Sequence, residues 1–353
     1  MNRFIFQGQP NRVLFGQGAR REIRQELERI GCHTPLILCT PGQLGMAQEA
    51  ASIFEGSARI FSQAQMHTPV TVTEQAMQLI EENTFDCLIA VGGGSAIGLA
   101  KAIALRTDLP QLALPTTYAG SEVTSVIGET YEGQKRTQKS PKILPEIVIY
   151  DAELTLGLPI DFTFTSAMNA IAHAVEALYS INGNPVVSLL AEEGIKAFLN
   201  ALPVLMKNPE DVDARAEAQY GAWLCGTCLG SVGMALHHKV CHVLGGTFGL
   251  PHAPTHSVML PHALAYTAPA IPEAIRRLQR CLNHEEPWTA LYQLNLAWAS
   301  PTSLAQLGMP ESGIQRAVEL IEQDAYQNPQ PMNTEALTCM LLRAYTGAAP
   351  VIA

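Results

Sequence analysis

Apolar residues follow two different rhythms along this chain. Up to about residue 150, short apolar runs such as "TPLILCT", "FDCLIAVGGGS", "PQLALPTT" and "PEIVIYD" alternate with stretches such as "TEQAMQLIEEN" and "AIGLAKAIALRT". The short runs predict buried strands, and the stretches with apolar residues at helical spacing predict helices packed over them. "EAASIFEGSARIF" reads as helix and "QMHTPVTVT" as a further short strand. This repetition predicts a mostly parallel sheet. After Pro159 strand signals almost vanish. "FTSAMNAIAHAVEALYS", "PVVSLLAEEGIKAFLNALPVLMKN", "VDARAEAQYGAWLCGTCLG" and the later segments through "NTEALTCMLLRAYTG" all read as helices. The pattern predicts an α/β domain over residues 1–155 and an all-helical domain over 156–353.

The totals narrow the function classes. The chain has 353 residues, enough for two ordinary domains, and 47% are hydrophobic, so it is globular rather than disordered. Lys and Arg number 22 against 32 Asp and Glu, a formal charge of −10. That disfavours nucleic acid or an anionic membrane as main partner, while leaving room for a local basic pocket. The start carries no long apolar stretch of signal type and no segment reads as spanning, so the expectation is a cytoplasmic chain. Eight scattered cysteines suit reduced, mostly buried thiols. Cys225 and Cys228 form a lone CxxC without a second pair, which reads as small residues in a tight helix contact.

"AVGGGSAIGLAKAIAL" puts Gly92, Gly93 and Gly94 between a strand and a helix, with Ser95 able to cap that helix. Consecutive glycines let backbone approach a ligand, and the helix N-terminus favours phosphate. The turn is neither GxGxxG nor a Walker A sequence. "LALPTTYAGSE" follows the next strand and supplies Thr116, Thr117 and Ser121. Polar turns after successive strands meet at the sheet edge where ligands of open α/β folds bind, and the pyrophosphate of a dinucleotide suits both.

The helical half carries the second candidate group. In "ALHHKVCHVLGGTFGLPHAPTH", His238 and His242 stand one helical turn apart, and His252 follows a Gly–Pro break. Asn169 and His173 form a similar pair on another helix. Three of these imidazoles and the amide would then converge from separate helices. Asn169 is a weak metal ligand because its oxygen is neutral, although three histidines and water could still hold zinc.

The order GGGS-xxx-AK, TT-xx-GSE, polar-xxx-His and His-xxx-His-xLGG-xxxx-PH resembles the iron-containing (group III) alcohol dehydrogenases over almost the whole chain. The resemblance implies a dehydroquinate synthase-like fold and a homodimer. Metal-dependent members hold a divalent ion with an Asp and three His, which match Asn169, His173, His238 and His252 here. His242 matches a histidine near the nicotinamide and substrate. The sequence departs from the pattern at Asn169, at Gly98 where many relatives have Asp, and at Ala253 where many have Gly. These departures resemble a branch that reduces the carbon–carbon double bond of maleylacetate, or its 2-chloro derivative, to 3-oxoadipate. That branch serves bacterial breakdown of resorcinol-type and chlorinated aromatic compounds.

What the resemblance implies is an NADH- or NADPH-dependent oxidoreductase with no metal ligands and no metal requirement. Members strict for NAD(H) carry an Asp after the second strand, where this chain has Thr40 and Pro41, so both coenzymes are expected. His242 is expected to be the electrophile or proton donor. His173, His238 and His252 would polarise the ketone, relay a proton or bind a carboxylate. Lys239, directly after His238, either draws one carboxylate of a small dianionic substrate or points to solvent. The basic run Arg136, Lys139 and Lys142 reads as a solvated face, with Lys142 a further candidate for the substrate. A metal-dependent alcohol dehydrogenase of the same family and a non-catalytic dinucleotide-binding protein are the alternatives.

Overall fold

The computed structural model describes all residues except 1–3, 7, 9, 10, 132, 133, 299, 324, 325 and 353; the side chains of 134 and 135 are also not described. The strands are β1 (Arg12–Phe15), β2 (Pro35–Leu38), β3 (Arg59–Phe61), β4 (Cys87–Gly92), β5 (Gln111–Pro115), β6 (Val126–Tyr131), β7 (Gln134–Lys139) and β8 (Ile147–Tyr150). The helices between them are α1 (Ile23–Glu28), α2 (Leu44–Ser52), α3 (Val70–Glu81) and α4 (Gly94–Thr107). Then follow α5 (Ile160–Ala177), α6 (Pro185–Lys207), α7 (Val212–Ser231), α8 (Leu236–Phe248) and α9 (His252–Thr267). The chain closes with α10 (Pro272–Leu282), α11 (Pro287–Ala297), α12 (Gly313–Gln323) and α13 (Thr334–Thr346).

Six strands form one parallel sheet in the order β1-β8-β5-β4-β2-β3. Successive side chains of a strand point to opposite faces, so each apolar run feeds two cores. Leu36, Leu38, Leu88, Ala90 and Val148 pack on one face with Ile97, Ala100 and Ile103 of α4. Ile37, Ile89, Val91, Leu112 and Ile149 pack on the other with Ile23, Leu27, Ala47 and Ala50 of α1 and α2. Burial on both faces is why these strands read as continuous hydrophobic runs rather than alternating ones.

Three local readings change. "VTVT" starts α3 after Pro69 rather than forming a strand, because the proline's extended backbone leads into a helix whose first turn tolerates β-branched residues. "RIF" at the end of "EAASIFEGSARIF" is β3, since α2 ends at Ser52. The basic run lies in and after the antiparallel β6–β7 hairpin. There Arg136 stacks over the Tyr131 ring, and exposed Lys142 pairs with Asp108 at 3.1 Å.

The chain divides into two compact units, one of Gly8–Leu158 with Asn208–Gly230, the other joining Pro159–Lys207 to Ser231–Ala353. A division at residue 155 leaves α7 among the later helices, whereas its contacts group it with the sheet. Polar side chains explain this grouping. Arg215 is fully buried and donates to the Pro209 and Leu158 carbonyls and the Tyr118 hydroxyl. Gln219 donates to the carbonyls of Pro115, the last residue of β5, and Asp151, just past β8. Gly226, between the buried Cys225 and Cys228, packs on Gly120, whose φ of +75° suits a residue without Cβ. The core of the other unit joins α8, α9, α12 and α13 through Leu236, Leu244, Met259, Val318 and Leu341.

A methyl group at Gly226 would sit 2.7 Å from the Gly120 carbonyl oxygen, with backbone rather than a mobile side chain in its way. Gly226→Ala is expected to lower stability by about 1–3 kcal/mol through this overpacking. Urea unfolding of the variant beside the parent measures the difference.

Candidate functional site

In the sheet unit, the turn residues singled out in the sequence follow the C-terminal ends of neighbouring strands. Thr40 and Pro41 follow β2, Gly92–Ser95 link β4 to α4, and Thr116 and Thr117 follow β5. Gly92 has φ +148°, and Gly93 begins α4 with no side-chain cap. The first-turn amides are therefore left for an external acceptor. A Cβ at Gly93 would lie 2.7 Å from Thr117 Oγ1, so the two turns touch, while a Cβ at Gly94 would meet nothing within 4 Å. Thr40 donates its hydroxyl hydrogen to Gln43, whose side chain lies against Gly92. A Cβ at Gly98 would crowd the Thr68 hydroxyl, so a side chain there requires Thr68 to shift.

Ser121 is fixed from below. Lys101 of α4 is buried, and its ammonium donates to the carbonyls of Ser121, Thr124 and Val126 and to the Thr124 hydroxyl at 2.5–3.0 Å. Burial pulls this amine down to about 7, opposed by Glu122. The Glu122 carboxyl, itself raised by burial, accepts from Tyr150 at 2.8 Å. Lys101 thus shapes the segment that carries Ser121.

In the helical unit, α5, α8 and α9 bring the expected histidines together. Asn169 and His173 come from α5, His238, Lys239 and His242 from α8, and His252 from the first position of α9. Gly249, at φ +66°, ends α8 and lets the chain turn into α9. The rings of His173 and His238 are 5.1 Å apart and those of His238 and His242 6.1 Å. His242 Nδ1 lies 3.1 Å from the Tyr326 hydroxyl, and the Lys239 ammonium sits over the Tyr326 ring. Lys239 is 7% exposed, so it belongs to the cluster rather than to solvent.

Sequence reasoning passed over Glu176, His237, Cys241, His256 and Tyr326. Helical spacing held a signal for four of them: Glu176 lies three residues after His173, His256 four after His252, and Cys241 four after His237. Glu176 is fully buried and accepts from the amides of Ala235 and His237 and from His238 Nδ1 at 2.6 Å. Burial opposes its charge, but His238 and the other donors hold it below the ordinary carboxyl range. As an ionised acceptor it makes His238 carry its hydrogen on Nδ1 and leaves Nε2 as a bare lone pair. His256 lies 4.4 Å from His252 and 5.0 Å from His238 between ring centroids, and its Nδ1 is 2.9 Å from His237 Nε2. Burial, reinforced by neighbouring histidines, pushes His173 and His256 well below the usual imidazole range and His237 down to about 3.

Residues 10–152 match the description "Iron-containing alcohol dehydrogenase", and residues 163–345 match "Fe-containing alcohol dehydrogenase family, C-terminal". The chain belongs to the iron-containing alcohol dehydrogenase family. It is 48% identical over 351 residues to a maleylacetate reductase of Sphingobium indicum, covering 99% of each chain. Its fold superposes on the crystal structure of maleylacetate reductase from Agrobacterium tumefaciens with a TM-score of 0.96. For that of Rhizobium sp. strain MTP-10005 the TM-score is 0.95. Both solved chains are 46% identical to this one, and each match covers 99% of this chain and 100% of the other.

Membership of this family corrects one expectation, that of an enzyme with no metal requirement. His237, Cys241 and His256 are buried and bring three ligand atoms within 4.8 Å of one another, a grouping able to hold a metal ion in a chain of an iron-containing family. The neutral amide at Asn169 had argued against metal, but that argument took no account of these neighbouring donors. The positions assigned to metal ligands by resemblance also fit an ion. Asn169 Oδ1, His173 Nδ1 and His238 Nε2 are buried and have no hydrogen-bond partner among the described residues.

The unfolded chain protonates histidine near 6.5, whereas the folded chain keeps His173, His237 and His256 neutral there. Below about pH 6.5 the unfolded state therefore binds more protons, so stability is full above that value and falls as pH drops. Glu176, with its folded value depressed, adds a loss of the same sign at lower pH. Urea midpoints are expected to fall between about pH 7 and 5. Glu176→Gln is expected to lower the unfolding free energy at pH 7 by about 1–3 kcal/mol, since the amide cannot satisfy three donors.

Proposed function

We infer that this chain is a maleylacetate reductase, an NAD(P)H-dependent oxidoreductase that reduces the carbon–carbon double bond of maleylacetate to give 3-oxoadipate. The observation that carries this reading is identity of 46–48% over 99% of the chain with relatives of that name. We extend it to the 2-chloro derivative, to a homodimer and to a cytoplasmic location. No helix among the described residues is long and apolar enough to cross a membrane.

Gly92–Ser95, Thr116, Thr117 and Ser121 bind the coenzyme, with pyrophosphate on the uncapped start of α4. Thr40 and Pro41 bring no carboxylate to the ribose, so a 2′-phosphate meets no repulsion there and both coenzymes serve. The nicotinamide held there would supply a hydride to the alkene carbon distal to the ketone. The π electrons move toward the ketone and form an enolate, and a proton then reaches the carbon beside the ketone. Charge develops on the ketone oxygen, and donors fixed in advance stabilise it. His242, held by the Tyr326 hydroxyl, donates the proton. His252 and Lys239 bind the carboxylates of the dianion. His173 and His238 surround the ketone, with His238 oriented by Glu176. Asn169 in place of an acid removes one negative charge from a pocket that takes a dianion. A divalent ion would be held by His173, His238, His252 and the Asn169 oxygen in place of their direct contacts with substrate, and would supply Lewis-acid polarisation of a carbonyl.

Oxidation of NADH and of NADPH by maleylacetate is the test. Turnover with either coenzyme, and none with simple alcohols and NAD, is expected. Alcohol oxidation without maleylacetate reduction would assign the chain to the alcohol dehydrogenases of the family instead. His242→Ala is expected to lower kcat about 10²–10⁴-fold with little change in coenzyme KM. An unchanged kcat would remove His242 from proton transfer.

A further inference from the structure

We propose that His237, Cys241 and His256 form a thiolate-containing site for a soft divalent cation of the zinc class, separate from the positions that the family pattern assigns. His237 and Cys241 stand one turn apart on α8, and His256 enters from α9 one turn after His252. All three are at most 3% exposed. His237 Nε2 lies 2.9 Å from His256 Nδ1 and 3.8 Å from Cys241 Sγ. Zinc bonds of about 2.0–2.1 Å to nitrogen and 2.3 Å to sulfur, in tetrahedral array, separate ligand atoms by roughly 3.3–3.6 Å. These two spacings are within about half an ångström of that, and the three ligand atoms all lie within 4.8 Å of one another.

The donor types also favour such an ion. Two imidazoles and a thiolate select zinc-like metals over magnesium or calcium. Without an ion, the two rings share one hydrogen across the 2.9 Å contact. Loading moves this hydrogen to the far nitrogen of its ring and releases the Cys241 thiol proton. The far nitrogens, His237 Nδ1 and His256 Nε2, have no other partner among the described residues and are open to carry hydrogen. The Cys241 thiolate and the Glu176 carboxylate, which binds the His237 amide at 2.7 Å, together offset the double positive charge. The other sulfur-containing group, Cys32, Asp86 and Cys87, lacks a free carboxylate, because Asp86 accepts the amides of His33 and Thr34 at 2.7 and 2.8 Å. An ion at the α8–α9 trio would tie these helices together beside the turn that presents His252.

Cobalt(II) added to the chelator-stripped full chain tests this. A thiolate-to-cobalt charge-transfer band in the near ultraviolet is expected, saturating at one equivalent for that band and bleached by zinc. Cys241→Ser is expected to abolish the band, and His252→Ala to keep it. Cobalt-treated wild type without the band would overturn the site, as would a band that survives in Cys241→Ser. The readout is absorption rather than turnover, so it stands apart from the assay with maleylacetate.

Discussion

A single buried carboxylate organises the histidine cluster. Glu176 is carried near the end of α5, yet its oxygens receive the amides of Ala235 and His237 and the ring of His238. Those amides begin α8, where a helix leaves donors without internal partners. One residue therefore caps the helix, joins it to α5 and sets the hydrogen on His238. Without it, a buried imidazole and two buried amides would lose their partner together, a larger penalty than any one hydrogen bond suggests.

The sheet unit solves a different problem by simple alternation. Each short strand buries both faces, so regular structure uses up the apolar residues and leaves the polar ones to the turns. Hydroxyls and glycines then gather past the ends of β2, β4 and β5, and contact between Gly93 and Thr117 brings two of those turns together. Lys101 extends the same economy to a third segment by binding the backbone of Ser121 and its neighbours.

Much of this was legible in the chain. Runs such as "LIAVG" and "IVIY" read as strands, and glycines between strand and helix marked a turn. The positions of His173, His238 and His252 followed from helical spacing and from resemblance. Other features were hidden for physical reasons. "VTVT" has strand-forming side chains, but the proline before it decides its fate. The partners of α7 are the carbonyls of Pro115 and Asp151, and backbone acceptors carry no sequence signature. His256 and Cys241 matter through distances across two helices, so one-dimensional spacing made each look like an ordinary core residue.

The path of the chain through α7 has a further consequence for how the protein can be cut. The sheet unit is not a continuous segment, since Asn208–Gly230 belongs to it and lies beyond the first stretch of the helical unit. A fragment ending at Leu158 would lack Arg215 and Gln219 and leave the carbonyls they serve in want of donors. Neither unit is a module that a single gene boundary could transplant. Recombination within this family is constrained to exchange α7 with the sheet it covers, although Pro159–Lys207 of the other unit is read between them.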